Sequence, residues 1–241
     1  MFLDSTELPW PQHIQVGSPI ICGRQTFDRL LVHTPMIHQG TDLEQMLQTL
    51  VRPWVKSGDM IFISEKVVAI SQGRLAKGDE IQVRPLAHFL SARVMKSSHG
   101  LGHRNPLVME MALREAGPVR ILFAAAVGGF SKRVLGRSGD FYRLAGRRVA
   151  AIDGTNRVTI PPYGDYVVLM PTDPEGVARR LAGAAGGDLA VVDVNDVGAE
   201  VLGASAGIDR DLLRQATRDN PLGQGHQQTP VGIIRVHNLA H

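Results

Sequence analysis

Cysteine is nearly absent from this chain. Cys22 stands alone, which excludes an intrachain disulfide and a Cys-based zinc site and leaves an inert side chain or a reactive thiol as its readings. No apolar run is long enough to cross a bilayer. The opening Met-Phe-Leu-Asp-Ser-Thr-Glu has neither the basic start nor the apolar stretch of a secretion signal, so a cytoplasmic location and no membrane partner are expected. A strong charge bias is missing too: 26 Lys and Arg are opposed by 23 Asp and Glu, and a formal net charge of +3 gives no global reason to expect nucleic acid. Several familiar devices are also lacking, namely the G-x-x-x-x-G-K-[ST] phosphate loop, G-x-G-x-x-G, the G-x-S-x-G elbow and H-E-x-x-H. A nucleotide, if one binds, is held by another route.

What is present is the balance of a soluble globular protein, with 44% of 241 residues hydrophobic and 20% charged. That length buries a real core in one large domain or two small ones. We read residues 1–241 as a single domain with a weak sub-domain boundary near 128–148. Strands and helices alternate without the regularity of a doubly wound sheet, which predicts a mixed α/β (α+β) fold with a mixed sheet and flanking helices.

Along the chain, residues up to about Val32 carry Pro9, Pro11 and Pro19 without a clean period and read as irregular or edge structure. Thr41 and Glu44 have capping-box spacing, and Leu43, Met46, Leu47 and Leu50 recur at helical intervals, which predicts a helix from Asp42 to Val51. Met60–Ser64 and Val67–Ile70 read as strands. His99 and His103 have the spacing of two helical metal ligands, but Gly100 and Gly102 argue against a helix there. Asn105-Pro106 marks a helix start, and Gly117-Pro118 its end.

Arg120–Val127 and Val149–Ile152 read as strands, joined by a long connection, 128–148, with five glycines. That connection holds Lys132, Arg133, Arg137, Arg143, Arg147 and Arg148, which are either a solvated basic loop or an anion-binding one. With only Phe141 and Tyr142 as interleaved aromatics, RNA binding is not favoured. Tyr166–Met170 is a further strand. A helix through Leu181 follows, opened either by a Thr172/Glu175 capping box or by Asp173 as cap with Pro174 first. Leu189–Val194, a short helix over Arg210–Thr217, a loop Asn220–Thr229 and a last strand Val231–Val236 complete the pattern.

Asp153, Asp193 and Asp196 are carboxylates at strand ends. Each is a turn former, a helix cap or an oxygen ligand for Mg²⁺ or Mn²⁺ with sites left for phosphate oxygens. Glu65, Lys66 and Arg74 are charged residues beside apolar runs, on a solvated face or at a site.

Five strings in order resemble a known family. Gly58-Asp59-Met-Ile-Phe-Ile-Ser-Glu65-Lys66-Val67-Val68 through Gly73-Arg74 is similar to the G-D-x, K-V-V and E-G-R of the coenzyme F420-0:L-glutamate ligases, the γ-glutamyl ligases of deazaflavin maturation. Ala151-Ile152-Asp153-Gly154-Thr155-Asn156 resembles their A-G-V-D-x-S-N, and Asn105-Pro106-Leu-Val-Met-Glu110 their D-P-R-x-x-E. Asp173-Pro174 with Ala178-Arg179 resembles D-P-D-x-S-A-R, and Asp193–Gly198 a later D-T-x-G-R. The family's lysine stands here as Ile70, its glutamate as Gln72, and the later motif ends in Ala199 without the arginine.

The resemblance implies the fold of that family and a GTP- and metal-dependent ligase joining glutamate to a carboxylate acceptor through an acyl phosphate. Asp153 and Asp196 are then metal ligands for Mg²⁺ or Mn²⁺. Gly154, Thr155 and Asn156 are nucleotide contacts, and Lys66 and Arg74 are catalytic. The implied partners are nucleotide, glutamate, the acceptor and a second copy in a homodimer. A non-catalytic member that binds an anionic ligand or nucleotide is the alternative.

Overall fold

The computed structural model describes residues 13–93, 105–136, 139–155, 162–195, 198–223 and 227–237. The expectations for His99, His103, Arg137, Asn156 and Asp196 lie outside them. The chain divides into two compact units, one of Met1–Gly73 with Pro171–His241 and the other of Arg74–Met170. The unit boundaries thus fall at Gly73/Arg74 and Met170/Pro171, and residues 128–148 lie inside the second unit.

The first unit is built on a six-stranded mixed sheet. Its strands are β1 (Ile14–Cys22), β2 (Gln25–Val32), β3 (Met60–Ser64), β6 (Asp188–Asn195), β7 (Gly198–Ala204) and β8 (Val231–Val236), ordered β1-β2-β8-β3-β6-β7. Among the described strands only β3 and β6 run parallel, with Met60 opposite Asp188 and Ser64 opposite Val192. β3, like β6 and β8, has buried side chains on both faces, which is why its sequence is an unbroken apolar run, Met-Ile-Phe-Ile. Phe62, Ala190, Val192 and Ile234 face a core shared with Leu213 and Ala216 of α9 (Arg210–Ala216). Alternation sends Ile61, Ile63, Leu189 and Val191 to the other face. There α8 (Pro174–Ala185) packs on β6 and β7 and against α1 (Leu43–Leu50). Gly203 of β7 lies so near the Pro174 backbone that a Cβ there would strike it.

Two arginines fasten this unit. Arg235 of β8 donates to both carboxylate oxygens of Asp59, at 2.9 and 2.7 Å, and to the Trp54 carbonyl at 2.6 Å. Buried Arg29 of β2 donates to the Ser18 and Ala216 carbonyls and pairs with Asp219, placing its cation at the carbonyl end of α9.

The sequence expectations for this unit hold at α1, α8, α9, β3, β6 and β8, with Asp42 and not Thr41 supplying the α1 cap. Asp173 caps α8, accepting from the Gly176 N–H, while Glu175 is turned to the Ala204 N–H and to Arg210, so the Asp-Pro alternative is the one realised. One reading is corrected. Val67–Ile70 is not a strand but part of a helix, α2 (Glu65–Ser71), in which Val68, Ala69 and Ile70 are all buried, so packing around the helix overrides their β propensity. Of the two alternatives for the first residues, irregular or edge structure, the edge is realised: residues 14–32 are a hairpin with β1 at the sheet edge and Gly23 in its turn at φ +62, and its pairing with β2 shows that more order is present than the sequence suggested. A bulge between Gly17 and Ile20 around Pro19 had hidden the alternation.

The second unit is mainly helical: α3 (Pro85–Ser91), α4 (Pro106–Ala116), α5 (Pro118–Leu135), α6 (Asp140–Ala145) and α7 (Arg147–Ala150). A two-stranded sheet pairs β4 (Leu75–Lys77) with β5 (Tyr166–Val168). Its core gathers Leu90, Met109, Leu113, Ile121, Val149 and Leu169. Asn105 caps α4 as expected, accepting from the Leu107 N–H.

The strand expected over Tyr166–Met170 is present as β5, Tyr166–Val168, but the reading of 120–152 as strand, loop and strand fails. Arg120–Val127 lies inside α5, residues 128–148 are the end of α5 followed by α6 and the start of α7, and Val149 and Ala150 are helical. The glycines that suggested a loop do two other jobs. Gly136, Gly139 and Gly146 flank helix ends with positive φ, and Gly128 lets α6 approach, since a Cβ there would come within 3.0 Å of Phe141. No helix among the described residues is long and apolar enough to cross a membrane.

Candidate functional site

The second unit holds the loop Asp153-Gly154-Thr155. Asp153 is bridged to β5, donating its N–H to the Val168 carbonyl and accepting from the Val168 N–H, both at 2.9 Å. Val168 is paired on its other side with Leu75 of β4. The backbone of Asp153 is therefore fixed as if it were a third strand, with buried Val149 and Ile152 beneath it. Gly154 lies on the first turn of α4, where an added Cβ would stand 3.0 Å from Val108 Cγ2 and 4.0 Å from Asn105 Nδ2. Thr155 approaches Gly78, the first residue of a 3₁₀ turn, Gly78–Glu80. The loop thus sits at a helix N-terminus, where free N–H groups and the positive end of the helix dipole favour anions.

Arg74, at the head of β4, braces the same strands. Its carbonyl accepts from the Leu169 N–H at 2.8 Å, its Nε donates to the Met170 carbonyl, and its Nη2 meets Glu115 of α4 at 2.8 Å. Farther along α4, Glu110 is buried and takes hydrogen bonds from Arg84 and Arg114. Burial by itself would raise the Glu110 pKa. The Arg84 and Arg114 guanidiniums and the Arg84 N–H outweigh it and hold the carboxyl below its ordinary value. Tyr163, just before β5, has its phenol pushed up by burial and by Tyr166.

The first unit carries the other candidates at the carboxyl ends of its parallel strands, the end of an α/β sheet where ligands are commonly held. Ser64 ends β3, and Glu65 and Lys66 follow in the first turn of α2, which packs on β6. Because Ser64 pairs with Val192, Asp193 and Asn195 extend beyond it on β6. The Asn195 amide is directed at Asp193, at 3.4 Å.

The predicted site residues therefore fall into two groups. Arg74, Asp153, Gly154 and Thr155 come together around β4, β5 and α4, whereas Lys66 belongs to the first unit. Where the resembling family has a lysine, Ile70 is buried; where it has a glutamate, Gln72 is clamped to Thr172, donating to its carbonyl and accepting its N–H. The residue that sequence reasoning undervalued is Asn105, read only as a cap and found beside Gly154. Its place at the head of the D-P-R-like string was the available signal.

For a cation, the loop offers the Asp153 carboxylate and the Thr155 hydroxyl, with the Asn105 carbonyl oxygen nearby and already accepting one N–H. No group of three His, Cys, Asp or Glu side chains stands together among the described residues. This donor set fits an ion such as Mg²⁺, which takes one or two carboxylates and completes its shell from water and phosphate, better than an all-protein cage.

The family model described as F420-0:Gamma-glutamyl ligase matches residues 31–192, well over half of the chain, which takes in Lys66, Arg74 and Asp153–Thr155 and stops just short of Asp193. A coenzyme F420:L-glutamate ligase of Methanopyrus kandleri is 29% identical over 147 residues, covering 60% of this chain and 48% of the relative. The chain spans about half the length of that curated relative.

Proposed function

Because the chain belongs to the F420-0:gamma-glutamyl ligase family, we propose that it forms a γ-glutamyl amide bond on the carboxylate of a deazaflavin acceptor. GTP is the phosphoryl donor, and Mg²⁺ or Mn²⁺ assists. The observation that carries this reading is the Asp153-Gly154-Thr155 loop, fixed by strand pairing and set on the first turn of α4. It is built to present a carboxylate and backbone donors to a phosphate–cation pair.

In the proposed reaction an oxygen of the acceptor carboxylate attacks the γ-phosphorus, and the bond to the β-phosphate oxygen breaks, releasing GDP. The glutamate nitrogen then attacks the acyl carbon, its proton passes to base or solvent, and inorganic phosphate leaves. A divalent ion, when bound, neutralises the triphosphate charge, and Asp153 is the residue that would hold it, with Asp196 as the second candidate. Gly154 and Thr155 are the proposed phosphate contacts, and Asn156 is a further one that the family resemblance implies. Lys66 is a catalytic candidate on the family resemblance alone, as a source of positive charge for a transferring phosphoryl group. Arg74, whose guanidinium is engaged with Glu115 and Met170, is a positioning residue that keeps β4 on β5 and so fixes the Asp153 bridge. The protein works as a homodimer.

The test is purified protein with GTP, Mg²⁺ or Mn²⁺, glutamate and F420-0. Phosphate release and the mass of one added glutamate are expected, with Asp153→Ala lowering kcat by at least about a hundredfold, as loss of a strong transition-state contact does. Turnover unchanged in Asp153→Ala would refute the assignment.

The buried Ile70 and the clamped Gln72 favour a second reading, a member that binds nucleotide without chemistry. It predicts thermal stabilisation by GTP, unaltered in Asp153→Ala, with no phosphate released.

A further inference from the structure

α4 buries a charge where its neighbours are apolar. Val108, Met109, Met111, Ala112 and Leu113 pack inside the second unit, and Glu110 stands among them at 1% exposure. A leucine there would fill similar space without desolvating a carboxylate, and replacing a buried ion pair by packed apolar residues commonly leaves a protein as stable or more so. Stability therefore does not account for Glu110. The proposed reaction makes no use of it either.

What the carboxylate does is hold two guanidiniums in one place. Arg84 Nε lies 3.0 Å from both its oxygens, the Arg84 N–H adds a third bond at 3.1 Å, and Arg114 Nε donates to Oε1 at 2.9 Å. One cation would neutralise Glu110. The second is a surplus charge that repels the first, so the three side chains together favour an anion.

The arginines are also used in an unusual way. A guanidinium paired with a carboxylate commonly engages it through two parallel N–H groups. Arg84 instead shares its single Nε–H between both oxygens, while Arg114 gives Nη2 to the Gln82 carbonyl at 3.1 Å. Nothing among the described residues accepts a hydrogen bond from Arg84 Nη1 or Nη2 or from Arg114 Nη1. Close to half of each arginine side chain is in solvent, 47% and 44%, so these donors are within reach of a ligand. The acids next in sequence are engaged elsewhere, Glu115 with Arg74 and Asp79 with Lys77.

We propose that Arg84 and Arg114, held by Glu110, form a second anion site, one that takes the phosphoryl group of a small molecule. A carboxylate has two oxygens, and the Nη edge of Arg84 alone satisfies them. A phosphoryl group has a third, which Arg114 Nη1 can meet. Val108 and Glu110 are two residues apart, about 200° around the helix, so the site lies on the side of α4 away from Gly154. It is separate from the Asp153 loop and stands whether or not the ligase reading does.

Calorimetric titration of the whole chain at pH 7 and low ionic strength tests it, with inorganic phosphate, phenyl phosphate and acetate as probes. Both phosphates should bind in the millimolar range, and acetate at least about tenfold more weakly, about 1.4 kcal/mol. Arg84→Lys/Arg114→Lys keeps both charges and their pairing with Glu110 but removes the planar edge, and should weaken phosphate binding at least about tenfold. Glu110→Gln should weaken it too, although it makes the cluster more positive, because the guanidiniums lose their common anchor. Asp153→Ala should leave it unaltered, and circular dichroism should report each variant folded.

A lysine pair that binds phosphate as well as wild type does overturns the proposal in favour of diffuse charge, as does a Glu110→Gln chain that binds it more tightly. Loss of binding in Asp153→Ala assigns the anion to the loop and overturns the second site. Exclusion of phenyl phosphate overturns a phosphoryl ligand in favour of the free ion. No binding by wild type at tens of millimolar overturns the site altogether, and none of these outcomes depends on turnover of GTP.

Discussion

Replacing Arg235 with methionine tests whether one buried ion pair holds the end of the sheet in place. Arg235 makes three contacts, two to Asp59 and one to the Trp54 carbonyl, and methionine keeps the apolar stem while removing all three. The Asp59 side chain is only 2% exposed and would be left with the Lys56 N–H at 2.8 Å. Removing one partner of a buried pair costs about 3–5 kcal/mol, mostly from the charge left behind.

Arg235 is itself 22% exposed, so water replaces part of the lost guanidinium and the expected loss lies at the low end, about 3 kcal/mol. Urea unfolding at pH 7, followed by circular dichroism and by tryptophan fluorescence, reads the loss as a lowered midpoint at constant slope. Asp59→Leu/Arg235→Met, which leaves no buried charge, should be more stable than Arg235→Met alone. A loss under about 1 kcal/mol in the single variant, the size expected of a surface pair, would refute the reasoning. So would a double variant no better than the single one.

Two further outcomes follow from the second unit. Glu110 has its pKa held below the unfolded value, so its contribution to stability is present above about pH 4.3 and is lost as the pH falls through the folded pKa. Melting temperatures of wild type and Glu110→Gln measured from pH 6 to pH 3 should therefore converge at the acid end. A constant gap would mean that its charge contributes nothing. Gly154→Ala places a methyl 3.0 Å from Val108 and pushes the loop off α4. GTP affinity should fall by roughly tenfold, about 1.4 kcal/mol, with little change in melting temperature, and unaltered titration calorimetry would remove the loop from the nucleotide site.

Mixed α/β character, the strands β3, β6 and β8 of the first sheet and the caps at Asn105 and Asp173 were legible because each depends on local chemistry, whereas β7 (Gly198–Ala204), short of β-branched residues, was not read as a strand. What was illegible depends on partners distant in sequence. Val67–Ile70 has strand composition, but only the neighbouring β6 makes a helix there the better way to bury it. The glycines of 128–148 carry no sign of whether they end helices or admit a neighbour, and Phe141, thirteen residues on, decides the matter for Gly128. Asp153 was found by its motif. Its bridge to Val168 was not, since the expected strand before it is the helix α7. Arg74 was legible as a charge beside an apolar run, while its commitment to Glu115 required a fold that returns α4 to it.

The strand order β1-β2-β8-β3-β6-β7 sets a timetable for synthesis. β8 is made after every other strand of its sheet, yet its place is in the middle, between β2 and β3. During translation the hairpin β1-β2 and the apolar β3 are exposed to the cellular medium with open edges, and the whole second unit is produced before β6 arrives to cover one side of β3. The sheet cannot close until the ribosome has passed Val236. This layout postpones its long-range pairing and lengthens the interval in which a bare strand edge can find the wrong neighbour. Chaperone demand for this chain should therefore depend on how quickly the segment after Pro171 is translated.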